Sequence, residues 1–195
     1  INGLLFALSY TRYSTDEYTY PVRWARGGGM MLNFDCALVL IPMLRRVFTW
    51  LPRAVANDRE ARYHLMMASM QAMMPAKGLG AGHALAGTFG DQGLHHGTLV
   101  TLSLPAVLRR LDPYAGDKLK AMAEAMGLEK GRHAAAGIAE MNERLGLPVN
   151  MKKYGYKVTS VDELAEDAHK SWFNHTAPHH PSQAEYREII EEVLG

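Results

Sequence analysis

Lys77–Leu104 reads KGLGAGHALAGTFGDQGLHHGTLVTLSL, and the fold turns on how this stretch is read. The run Ala81–Ala86 is small and apolar enough for one helix to press its backbone against another, and His83 is its only strongly polar side chain. An imidazole placed there needs a partner, because a buried polar group without one is costly. Glycines at 87, 90, 93 and 97 are expected to break the helix and fold the backbone back, which brings His96 towards His83. Histidine is the commonest metal ligand, and two imidazoles facing each other across a turn suit a divalent ion such as Zn2+ or Fe2+. Their spacing lacks the fixed helical pitch of H-E-x-x-H. The residues alone therefore leave a second reading open: one satisfied core histidine at position 83 and a solvent-facing His95–His96 pair.

Outward from this stretch the chain reads as capped amphipathic helices. Upstream, Asn57 or Asp58 is the N-cap of a helix that exposes Arg59, Glu60 and Arg62 and turns Leu65, Met66, Ala68, Met70 and Met73 to the core, until Pro75 ends it. The chain has 12 methionines, bunched from Met66 to Met74, and gap-filling in a core explains them better than a binding surface. Glu60 and His64 stand four residues apart and read as a surface contact rather than a metal pair. Downstream, Thr98–Leu111 is an apolar helix that Pro105 should kink or restart, and Asp112-Pro113 opens the next element. Lys118–Met126 and Ala134–Leu145 are helices closed by Gly127 and Gly146. The segment KKYGYKVTS reads as a turn or brief strand, and Ser160 or Asp162 caps a helix through Lys170. His169, His175, His179 and His180, set among Pro178 and Pro181, read as surface histidines on a mobile loop without supporting partners. Ser182 starts the last helix, with Glu185 and Glu188 outward and Tyr186, Ile189, Ile190, Val193 and Leu194 inward. The expected fold class is all-α, a helical bundle preceded by an apolar helical segment.

GLGAGHALAG followed by GLHHGTLVTLSLPAVLRR closely resembles the C-terminal helical domain of the iron-containing alcohol dehydrogenases. LPRAVANDREARYHLMMASMQ upstream and EMNERLGLP, VDELAEDAH and PSQAEYREIIEEVL downstream extend the resemblance over roughly residues 44–195. It implies that His83 is the third metal ligand and His96 the fourth, that Fe2+ (or Zn2+) polarises the oxygen of a small alcohol or aldehyde, and that NAD(P) exchanges hydride with the neighbouring carbon. A homo-oligomer is compatible with it. Four residues after the third ligand the family commonly has another active-site histidine, where this sequence has Gly87. The family's first two ligands are an aspartate and a histidine four residues later. Here Asp35 has Val39 at that distance, so the pair does not carry over. Ala177-Pro178-His179 stands where the family has an N-P-R-like stretch. No catalytic or cofactor-binding residue is assigned, and the expected function is a fragment of an NAD(P)-linked alcohol dehydrogenase, inactive alone for want of a nucleotide domain and two ligands.

With 195 residues, 48% hydrophobic and 21% charged, and a net charge of +1, the chain suits one or two small globular units and disfavours disorder or a nucleic-acid partner. Cys36 is its only cysteine, so no intrachain disulfide forms. INGLLFALSY lacks the basic flank and cleavage site of a signal peptide. Gly27-Gly28-Gly29 follows Arg-Trp-Ala-Arg rather than an apolar strand, and reads as a hinge, not a phosphate cradle. The apolar run Met30–Leu44 is shorter than the ~20 residues of a spanning helix and carries Asp35, which costs about 3 kcal/mol at mid-membrane. Yet Ile1–Leu51, through its YSTDE loop and Asn33, Phe34, Cys36, Leu40, Pro42 and Arg45, resembles the first membrane-spanning part of the NADPH oxidases. In that family an arginine at the place of Arg45 lies near a haem held by later histidines, and no histidine occurs here before His64. The expected organisation is an oxidase-like apolar or membrane segment at 1–51 and a dehydrogenase-like helical domain at 52–195. The expected location is cytoplasmic, with a non-catalytic membrane-anchored fragment as the alternative.

Overall fold

The computed structural model describes residues 36–73 and 80–195, and among these every regular element is a helix, as the sequence pattern predicts. The readings of Gly27–Gly29, of Asn33 and Asp35, and of Pro75 lie outside the described residues. Helices α1 (Cys36–Val55) and α2 (Arg59–Met73) form a hairpin. Its turn is set by Asn57 at φ 71, and Asp58 caps α2 by accepting the Ala61 N–H at 3.1 Å. Helix α1 runs unbroken through Pro42 and Pro52, so no element ends at the expected join after Leu51. No helix among the described residues is long and apolar enough to cross a membrane.

The methionine reading of α2 is corrected. The helix buries Ala61, Ala68 and Ala72, whereas Met66 and Met70 are 70% and 64% exposed. At 3.6 residues per turn those methionines fall on roughly the opposite side from the three alanines. Small side chains let α2 pack closely on α1, whose Met43, Leu44 and Val47 are buried in the same core cluster as Ala68 and Ala72, and that close approach favours the alanine stripe inside.

Helix α3 (Ala81–Thr88) is entered through Gly80 at φ 114 and buries every residue from Ala81 to Ala86. It packs against α4 (His96–Arg110), α8 (Val161–Lys170) and a 3-10 turn (Trp172–Thr176). A second 3-10 turn, Phe89–Gln92, follows α3, and Gly93 at φ 70 ends it. Two of the four glycines expected to break the helix are helical instead, Gly87 in α3 and Gly97 in α4. The reversal is made at 93–95.

Pro105 does not divide α4. A proline withholds the N–H that would reach the carbonyl four residues back, here that of Thr101. Asn142 of α6 (Ala134–Arg144) supplies the missing donor, its Nδ2 donating to the Thr101 carbonyl at 3.1 Å. Between them, α5 (Asp112–Ala125) closes at Gly127, where the Leu128 N–H reaches the Ala123 carbonyl at 3.1 Å. Met151–Tyr154 is a single helical turn, α7, capped by Asn150 and left through Gly155 at φ 102. Ser160 caps α8, and α9 (Gln183–Leu194) starts with a full capping box between Ser182 and Glu185. Tyr186, Ile189, Ile190, Val193 and Leu194 of α9 are buried as expected.

Candidate metal site

Helix α3 holds His83 in the interior at 7% exposure because its neighbours are alanine, glycine and leucine, which let α4 and α8 close over it. The reversal at 93–95 then brings His96, the first residue of α4, to a ring separation of 5.1 Å from His83, tilted by 54°. On another side the Phe173 ring lies 5.5 Å from the His83 ring. His83 Nδ1 is buried and has no hydrogen-bond partner. Burial, reinforced by the charge of His96, pushes the His83 imidazole down to about 4. It is therefore neutral at physiological pH and keeps a ring nitrogen free, the form in which imidazole ligates a metal.

The pair is incomplete as a cage. Among the described residues, no group of three or more histidine, cysteine, aspartate or glutamate side chains could hold a metal ion. His95, next in the chain, is exposed, and its ring Nδ1 lies 3.4 Å from Thr98 Oγ1. A Cβ at Gly87 meets nothing within 4 Å, so the histidine expected from the resemblance is lacking by sequence and not by steric exclusion.

The distal histidines are not a loose loop, and that expectation is corrected. His169 Nδ1 donates to the Pro181 carbonyl at 2.9 Å, and His180 Nε2 donates to the His169 carbonyl at 3.0 Å. His179 Nε2 lies 2.9 Å from Glu185 Oε1, and its ring stacks on Tyr114 at 4.0 Å. Asn174, 2% exposed, donates to the carbonyls of Ala168 and His169 and accepts the Tyr186 hydroxyl. The last carbonyls of a helix need donors, and these side chains supply them. Sequence reading missed Phe173 and Asn174, whose signal was only their position just past a helix end.

Residues 36–194 match the family described as Fe-containing alcohol dehydrogenase family, C-terminal, and the chain belongs to that family. The match takes in 36–51, which the sequence had placed with an oxidase-like segment. Among curated relatives, 4-hydroxybutyrate dehydrogenase of Cupriavidus necator is 36% identical over 149 residues, 71% of this chain and 39% of that protein. A 1,3-propanediol oxidoreductase structure superposes with a TM-score of 0.80 at 23% identity, over 98% of this chain and 50% of its own. The alcohol dehydrogenase of Oenococcus oeni gives 0.80 at 22% identity, over 99% and 49%. The chain thus spans half or less of each relative's length, and the two structures speak for the fold alone.

Proposed function

We propose that this chain is the metal-side helical part of an NAD(P)-linked oxidoreductase of small alcohols or aldehydes, with His83 and His96 as its two ligands to Fe2+ or Zn2+. The observation that carries this reading is the His83 Nδ1, buried, neutral and unpartnered beside a second imidazole. An unsatisfied buried polar atom is rare unless something fills it. A bound divalent ion would act as a Lewis acid on the substrate oxygen. The chain's own contribution is positional: α3 holds one ligand in a dry setting, the start of α4 presents the other at the surface, and Phe173 packs an apolar ring against the first.

Two imidazoles are half of the usual set of four ligands. By themselves these 195 residues are expected to bind metal weakly and to show no NAD(P)-dependent turnover of short alcohols or of 4-hydroxybutyrate, the substrate suggested by the Cupriavidus relative. The test is calorimetric titration with Zn2+, alongside assays with NAD+ and NADP+. Weak binding abolished by His83→Ala supports the reading, whereas tight stoichiometric binding or turnover by the chain alone contradicts it. The contact with Phe173 favours a second reading, in which His83 is a packing residue. His83→Leu separates the two: a folded variant without metal affinity fits a ligand, and an unfolded one fits a structural histidine.

A further inference from the structure

Helices α3 and α4 are joined by only seven residues, Phe89–His95, and that link sets how far His96 stands from His83. Four of the seven form the 3-10 turn Phe89–Gln92; beyond it the Gly93 N–H reaches the Gly90 carbonyl at 3.3 Å, and the N-cap of α4 has no side-chain cap bond.

Its firm contacts come from a segment about sixty residues away. Gln92 grips the backbone of Lys157 twice, Nε2 donating to the carbonyl at 2.7 Å and Oε1 accepting the N–H at 2.9 Å. The His95 N–H donates to the Tyr154 hydroxyl at 3.2 Å. The buried rings of Phe89 and Tyr156 meet edge to face at 4.9 Å. Gly155 at φ 102 lies between the two tyrosines and turns the chain where both neighbours reach the link. The segment is anchored in turn, since Asn150 accepts the Lys153 N–H at 2.8 Å and Lys152 Nζ donates to the Gly195 carbonyl at 2.6 Å. A ligand pair works only if its supporting groups hold it to within about 0.5 Å.

We propose that Tyr154 and the Gln92–Lys157 double hydrogen bond are positioning elements that fix the separation of His83 and His96 by pinning the link between α3 and α4 from outside. The relevance to metal binding rests on the ligand reading above, but the positioning itself does not, and the experiment keeps the two apart.

The test uses the whole chain with ring-labelled histidines, following the nuclear Overhauser cross-peak between the His83 and His96 rings without metal. Tyr154→Phe removes one hydroxyl, and Gln92→Ala removes both bonds to Lys157. The expected result is a weakened cross-peak in each single variant and its loss in the double, with helical circular dichroism and melting retained. Gln92→Glu, which keeps an acceptor for the Lys157 N–H, should restore part of the signal. Titration with Co2+ should show a fall in affinity of about tenfold in the double variant, the scale expected for groups that support a ligand. An unchanged cross-peak in the folded double variant overturns the proposal whatever the metal does. If the double variant does not fold, Tyr154→Phe alone decides. A wild-type chain that binds no Co2+ yet loses its cross-peak in the variants removes the ligand reading and upholds the positioning.

Discussion

At the scale of single residues, the least legible feature is the answer to Pro105. The sequence showed a proline inside an apolar helix and so a kink or restart, but the donor to the Thr101 carbonyl that the proline leaves open is Asn142, forty-one residues beyond Thr101, on another helix. Nothing local encodes that pairing. Replacing Asn142 with leucine leaves the buried Thr101 carbonyl unsatisfied and should cost about 1–3 kcal/mol in urea unfolding. Adding Pro105→Ala to that variant returns a backbone N–H to the same carbonyl and should recover part of the loss. Independent, additive effects of the two substitutions would contradict this coupling. His83 and His96 were legible for the opposite reason. A lone imidazole in a run of alanines and glycines is conspicuous within a few residues, and the turn that pairs it with His96 is equally local.

At the scale of elements, helix ends were easier to read than helix faces. Gly127, Gly146, Asp58, Ser160 and Ser182 all act at the ends where their residue types predicted a boundary, because caps are local chemistry. Ser182→Ala removes the acceptor of the Glu185 N–H and leaves the Glu185 carboxylate without the hydroxyl, so α9 should lose about 1 kcal/mol, read from the chemical denaturation midpoint. The buried face of α2 was misread because alanine and methionine are both apolar and both recur at helical spacing. Only the approach of α1 distinguishes them. Met66→Gln and Met70→Gln should therefore change stability by no more than about 0.5 kcal/mol, and a larger loss would show that this stripe is covered.

At the scale of the whole molecule, α9 closes the bundle, and Glu192 ties it to the end of α4. Its carboxylate is shared by Arg110, at 2.7 Å, and Arg109. Burial alone would raise the Glu192 carboxyl, but hydrogen bonds and charge from the two guanidiniums outweigh it and hold it below the ordinary value of 4.5. Since folding lowers this pKa, the contribution is complete above the unfolded value and is lost as pH falls through the folded one. The group is partly solvated, so the pair is worth about 0.5–1 kcal/mol. Glu192→Gln should lose that amount at about pH 6, and the deficit should shrink as the pH is lowered through the folded value and the wild-type carboxylate takes up its proton. A deficit that stays constant down into acid would contradict the assignment. The most direct test of the central claim is anomalous diffraction from crystals of the chain soaked in excess Zn2+. The account predicts a peak about 2.1 Å from a ring nitrogen of both His83 and His96. A map with its strongest peak at the His169–His180 pair, or with none between His83 and His96, would contradict it.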